Sequence, residues 1–265
     1  MRVGILGTGW GRTHVGTFRA AGCTIAAIVG RDPARSAAIA RAEGIPGSTP
    51  DALEDVGLVV VATPIADHPA SVAAHWDRPV FCEKPLVGRP PEPGFSEAVS
   101  RRLVGVNYAF PFLDAARRLV RPAEAVRVRV EAGIGGDWAL REVAVHPLSW
   151  VQHAFGRLSR DGDGLVVAGV VPVSLDVRPR ADGIVVAIDL LPHGSLRGVL
   201  TDGRWRFTVD GEEAGGSDPW GDANRASAAA FVDRVTTGRQ VPGACDAAAA
   251  LAIDRILPVS PLRTG

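Results

Sequence analysis

Two apolar runs open the chain, each of the kind that fills a buried strand. "RVGIL" (residues 2–6) and "CTIAAIV" (23–29) flank a segment, 11–21, patterned for a helix. "LVVVA" (58–62) is a continuous β-branched run, and "RPVFC" (78–82) and "RRLVGVN" (101–107) read as two more strands. Such runs, with no polar alternation, fit strands covered on both faces. Between them, "RDPARSAAIARAEG" carries a helix start, with Asp32 as cap and Pro33 at the first helical position, and a stop at Gly44. Strands alternating with helices predict a doubly wound parallel sheet. "GRPPEPG" (88–94) can be neither helix nor central strand and reads as a surface connection.

After about residue 110 the period changes. "VRVRVEA" (126–132) alternates strictly, so Val126, Val128 and Val130 face a core while Arg127, Arg129 and Glu131 face away. "LVVAGVV", "VSLDV", "IVVAIDLL", "LRGVL" and "WRFTV" follow as strands, with Thr201-Asp202-Gly203 as a hairpin turn between the last two. Helical patterns fall near 137–155, 222–237 and 244–256. The prediction is α/β overall: a first domain over 1–110, then an α+β domain over 111–265 built on an open, mainly antiparallel sheet.

Composition narrows the function classes. The chain has 265 residues, 46% hydrophobic and 22% charged, enough to fill a core and against disorder. Basic and acidic residues number 29 each, which argues against a nucleic-acid or membrane surface held by bulk charge. The three cysteines, Cys23, Cys82 and Cys245, are too few and too scattered for a disulfide framework, and no metal site is expected. Free thiols, the absence of a leader pattern and the lack of a spanning apolar run together predict a cytoplasmic protein.

"GTGWGRTHV" (7–15) follows the first strand. It resembles the G-x-G-x-x-G dinucleotide turn with one residue missing, since position 12 is Arg12 and the third glycine stands early, at Gly11. Gly7, Thr8, Gly9, Trp10, Gly11 and Arg12 are the candidate phosphate-side residues. Glycines admit the backbone to a pyrophosphate, and a helix N-terminus offers amides and partial positive charge. At the end of the second strand, where NAD sites place an acid, stand Gly30 and Arg31. Arg31 can pair with a 2′-phosphate, so NADP(H) is favoured over NAD(H). Asp32 could be claimed as the acid, but its place before Pro33 favours the cap.

Two further stretches carry a family resemblance: "ATPIADH" (62–68) and "FCEKPL" (81–86). With "GVNYAF", "HPLSWVQHAFG" and "FVDRVTTGR", their order resembles the glucose–fructose oxidoreductase / inositol dehydrogenase / MocA (Gfo/Idh/MocA) family. The resemblance implies an N-terminal Rossmann domain and hydride exchange between nicotinamide C4 and a carbonyl or alcohol carbon of a small polar or sugar-like metabolite. It implies Lys84 as the catalytic or substrate-orienting lysine and Glu83 near the nicotinamide ribose. It also implies Thr63 and Pro64 as cofactor-side residues, with His68 capping or packing beneath the cofactor edge. Lysine at the carboxyl edge of a parallel sheet suits polarising a carbonyl oxygen.

The family's Asp-x-x-x-His pattern maps to Glu142 and His146, with His146 as acid/base and the carboxylate orienting it. On a helix, i and i+4 share a face, although Pro147 compromises that helix. Ser149 stands where the family often has another acid, and His153 reads as packed. Tyr108, the only tyrosine, reads either as a substrate-pocket residue or as core. Pro111 stands where relatives commonly carry arginine. The expected partner is a small-molecule substrate, and the family implies a homodimer or homotetramer. Two other readings stay open: reduction of a C=N bond in a biosynthetic intermediate, and a dinucleotide-binding sensor without turnover.

Overall fold

The β-branched runs of the first hundred residues become parallel strands. The computed structural model describes residues 1–88, 94–133, 139–162, 164–167 and 171–257, with the side chains of 139 and 140 excepted. In chain order the first elements are β1 (Arg2–Leu6), α1 (Gly11–Ala20), β2 (Thr24–Val29), α2 (Pro33–Glu43), β3 (Leu58–Val61), α3 (His68–Ala73), β4 (Val80–Cys82), α4 (Phe95–Ser100) and β5 (Val104–Val106). Asp32 caps α2 as read, its carboxylate accepting from the amides of Ala34 at 2.9 Å and Arg35 at 3.1 Å. Most of "GRPPEPG" lies outside the described residues.

The remaining elements are α5 (Asp114–Arg118), β6 (Ala125–Ala132), α6 (Val145–Phe155), β7 (Leu158–Asp161), β8 (Gly164–Val167), β9 (Val171–Pro179), β10 (Ile184–Leu191), β11 (Ser195–Thr201), β12 (Arg204–Val209), β13 (Glu212–Ala214), α7 (Pro219–Thr237), β14 (Cys245–Asp246) and α8 (Ala247–Ile256). A π-helical turn, Ala139–Ala144, precedes α6. The start of the helix expected near 137, and the middle of "LVVAGVV", lie outside the described residues.

Contacts divide the chain into two units: 1–107 with 224–251, and 108–223 with 252–265. The sequence reading draws one boundary, at 110; the returning segment has a physical cause. Most of α7 belongs with the first sheet, because Ala228 and Phe231 join the core of Val3, Ile5, Phe18, Ile28, Leu58, Val60 and Phe81. Phe231 lies against Gly105, where a Cβ would meet its ring at 2.5 Å. The last helix also starts later than read. Cys245 and Asp246 pair antiparallel with Val106 and Gly105 as β14, and α8 follows at Ala247.

The first unit's sheet has the order β14-β5-β4-β3-β1-β2. All pairs but β14–β5 are parallel. The chain reverses direction across the sheet between β1 and β3. In such sheets ligands bind outside the carboxyl ends of the strands at that switch point.

The second unit's sheet has the order β13-β12-β11-β10-β6-β9-β8-β7, antiparallel except for β6–β9. Val126, Val128, Val130 and Ala132 are buried, as the alternation predicts, and α6 packs against β6, β7 and β8. The Asp202-Gly203 turn has positive φ at both residues, 51° and 73°, the two-residue hairpin geometry expected. Asp210-Gly211 makes a second such turn, leading into β13, which the sequence reading passes over.

Candidate active site

The carboxyl edge of the first sheet collects the cofactor candidates. Gly7 follows β1, Gly30 follows β2, Thr63 follows β3 closely, and Glu83 and Lys84 follow β4. Gly7 has φ 119°, and a Cβ there would sit 2.2 Å from the Ala62 carbonyl oxygen, so only glycine fits. A Cβ on Gly11 would lie 2.9 Å from Ile5 Cγ2, so this glycine lets α1 lie close on β1. That is the service the third glycine of the usual motif performs, supplied one residue early. A Cβ on Gly9 would meet nothing within 4 Å, and no side chain caps α1 at its Trp10 end. Open space at Gly9 and uncapped helix amides fit a dinucleotide pyrophosphate.

A prediction follows from that geometry. Gly9→Val should leave the thermal midpoint within a few degrees of the parent, because its side chain enters open space. It should weaken dinucleotide binding at least about tenfold, roughly 1.4 kcal/mol, by filling the room a phosphate needs. Unchanged affinity by titration would place the cofactor elsewhere.

The other turn residues divide. Trp10 is 58% exposed. Arg12 turns back to α2, its Nε 2.9 Å from Glu43 Oε1. A Cβ on Gly30 would come within 2.7 Å of the Thr8 side chain, so the usual acid has no room there while Thr8 keeps its place. Arg31 pairs with Asp67 on the surface. Pro64 is exposed, and Thr63 Oγ1 lies 3.4 Å from Ser71 Oγ. His68 is buried, with Nδ1 2.8 Å from the Pro85 carbonyl and Nε2 2.9 Å from the Thr63 carbonyl. It ties the loop after β3 to the loop after β4.

Glu83 is buried in the unit's interior. Its Oε1 accepts from His14 Nε2 at 2.7 Å and from Asn107 Nδ2 at 2.8 Å. Its Oε2 accepts from the Lys84 amide at 3.3 Å. Asn107 Nδ2 also donates to Asn224 Oδ1 at 2.9 Å. Burial alone would raise the Glu83 pKa. The His14 hydrogen bond and its electrostatic pull, then the Lys84 charge and the Asn107 amide, outweigh burial and hold it at about 2.

A carboxylate depressed on folding stabilises the fold above its unfolded pKa and loses that contribution as pH falls through the folded value. The window therefore runs from about 4.5 down to about 2. Over it the chain should lose roughly 3 kcal/mol attributable to this group. Urea unfolding at a series of acid pH values should show this dependence in the parent and a flatter one in Glu83→Gln. Parallel profiles would reject the assignment.

Lys84 is half-buried at the head of the loop after β4. It is also the only lysine in a chain with 29 basic residues, a signal the sequence reading passes over. His14 and Asn107 are likewise missed. In sequence, His14 looks like one more apolar-face residue of a helix beside Val15 and Phe18. Its partner lies 69 residues away.

In the second unit, Tyr108 is fully buried, its hydroxyl 3.4 Å from Asp254 Oδ1 and its ring edge-on to His146 at 6.3 Å. Of the two readings of Tyr108, the structure gives a core position. His146 lies near the start of α6, its ring edge-on to Trp220 at 4.9 Å. Pro147 falls in the first turn of that helix, where its missing N–H costs little. Glu142 sits in the π-helical turn that precedes α6. Ser149 is buried, its hydroxyl donating to the His146 carbonyl at 2.6 Å. His153 is exposed rather than packed. Among the described residues no group of His, Cys, Asp or Glu is arranged to hold a metal ion, and no helix is long and apolar enough to cross a membrane.

A doubly wound parallel sheet with a glycine turn before an uncapped helix defines a Rossmann-type nucleotide-binding domain. Residues 1–93 match the Gfo/Idh/MocA model, described as an oxidoreductase family with an NAD-binding Rossmann fold. Over those 93 residues the chain is similar to that oxidoreductase family. No curated protein matches the chain.

Among solved structures, UDP-N-acetylglucosamine 3-dehydrogenase from Acidithiobacillus ferrooxidans is similar at 17% identity and TM-score 0.72, over 96% of this chain and 94% of its own. Levoglucosan dehydrogenase in complex with NADH and levoglucosan is similar at 18% identity and TM-score 0.70, over 97% and 95%. An Agrobacterium radiobacter oxidoreductase in complex with NAD+, L-tartaric acid and magnesium is similar at 17% and 0.70, over 97% and 94%. At these identities the likeness is one of fold.

Proposed function

We propose that this chain is an NADP(H)-preferring oxidoreductase acting on a carbonyl or alcohol carbon of a small polar, sugar-like metabolite. The observation that carries this reading is Lys84: the chain's only lysine stands at the carboxyl edge of the sheet that also bears the glycine turn. Structural neighbours with sugar-derived substrates in their names support the substrate class. Gly7, Gly9 and the first amides of α1 would hold the pyrophosphate, and Arg31 the 2′-phosphate. Bound there, the nicotinamide supplies or accepts a hydride at C4.

The side chains do the rest. The Lys84 ammonium stabilises negative charge on the substrate oxygen. His146, in the second unit, is the group proposed to move a proton.

The cofactor preference rests on Gly30 and Arg31. No carboxylate stands at Gly30 to repel a phosphate. The Arg31–Asp67 pair is solvated, with the arginine side chain 78% exposed, and such pairs contribute at most about 1 kcal/mol. Exchange of Asp67 for a doubly charged phosphate is therefore inexpensive. NADPH should bind at least about tenfold more tightly than NADH, roughly 1.4 kcal/mol. Arg31→Ala should narrow the gap and Asp67→Asn widen it. Fluorescence titration of both cofactors measures this, and equal affinities in the parent overturn the preference. Oxidation of bound NADPH by a panel of keto-sugars and ketones tests the reaction; tight binding with no turnover across the panel would leave a sensor.

A further inference from the structure

We propose that His14 is a positioning residue: through Glu83 it fixes Lys84 relative to the helix whose first turn receives the cofactor. This rests on the reading of Lys84 given above. The argument starts from cost. An ionised carboxylate in a protein interior loses several kcal/mol of hydration, and an apolar residue of similar volume is often at least as stabilising. Glu83 is buried nonetheless, and it immediately precedes the lysine in the chain.

The partners of Glu83 show where it is anchored. One carboxylate oxygen is held by His14 of α1 and by Asn107, at the end of β5. The other accepts from the backbone amide of Lys84 itself. The carboxylate therefore bridges a side chain of α1 and the backbone of the catalytic loop.

The His14 ring has little freedom. It is 2% exposed, with Phe18 and Phe81 at ring-centroid distances of 6.1 and 6.0 Å. Among the described residues its Nδ1 has no hydrogen-bond partner, so its one polar engagement is with Glu83. A buried imidazole with one nitrogen idle is poor economy for stability alone. It is what a short, directional strut requires.

The position of His14 on α1 supplies the reason for the strut. His14 lies three residues past Gly11, so about 4.5 Å of helix rise separates it from the turn that admits the pyrophosphate. A helix is stiff over that length. The element that seats the phosphates thus also carries the group that sets the Glu83–Lys84 backbone. On the opposite flank His68 holds the carbonyl of Pro85. The residues on either side of the lysine, Glu83 and Pro85, are each held by a buried imidazole, of which His14 alone shares its helix with the cofactor turn.

The single lysine makes a direct test possible without a known substrate. Reductive methylation of the full-length protein with ¹³C-formaldehyde labels Lys84 and the α-amine only. In the parent, the dimethyl resonance of Lys84 should shift on addition of NADPH. In His14→Phe, NADPH affinity should stay within about threefold, and the Lys84 response should fall to less than half. His14→Gln, whose amide can donate to the carboxylate, should restore much of it. Asn107→Ala, which removes the other donor to the same oxygen, should reproduce the loss and serves if His14→Phe does not fold.

A folded variant that binds NADPH with an unchanged Lys84 response overturns the proposal. So does a folded His14→Phe that no longer binds NADPH, because His14 would then serve the turn itself. A parent that binds NADPH with no Lys84 response overturns the catalytic reading of Lys84 first. It is told apart by appearing before any substitution is made.

Discussion

Lys84→Ala should lower kcat/KM by about a hundredfold or more while leaving dinucleotide affinity nearly unchanged. The reason is where its charge is used. An oxygen that becomes negative in the transition state is stabilised by a fixed cation far more than the same oxygen in the ground state. Loss of one such donor costs roughly 3 kcal/mol in comparable sites. Lys84→Arg should recover only part of the rate, because a guanidinium presents its charge in a planar fork instead of at a point. The substituted residue is half-buried at a loop head, so the thermal midpoint should move little. Stopped-flow absorbance at 340 nm, with a substrate from the panel, separates the bond-changing step from release. A Lys84→Ala protein with parental turnover would take Lys84 out of the chemistry.

His146→Ala should cost about a hundredfold or more, in the range typical of a lost proton donor. Unlike the lysine, His146 is packed, edge-on to Trp220 and Tyr108, so the substitution also opens space in the second unit. His146→Gln, closer in size, separates the two effects: a stable protein that stays slow has lost proton transfer, and one that recovers had lost only packing.

The first sheet was legible because its strands are buried on both faces, and a continuous run such as "LVVVA" has few other readings. β14 was not: Cys245-Asp246 has no pattern of its own and becomes a strand only by meeting β5. The polar edge strand β7, "LSRD", hid for the same reason. The turn at Asp210-Gly211 did carry a signal, the same Asp-Gly pair read correctly at 202–203. In the site, Gly7, Gly11, Asp32 and Lys84 could be placed because each makes a local demand on the backbone or follows a strand end. His14 could not, since what distinguishes it from core is a carboxylate far along the chain.

The return of α7 and β14 to the first unit governs the order in which that unit can be finished. As the chain leaves the ribosome, β1 to β5 and the loop bearing Lys84 emerge first. Asn107 then has Glu83 as a partner, while Asn224 and Phe231 have yet to be made. The groove over Gly105 and the free edge of β5 stay open until nearly the whole of the second unit has been synthesised. The loop bearing Lys84 is thus braced from one side early and from the other only near the end of translation.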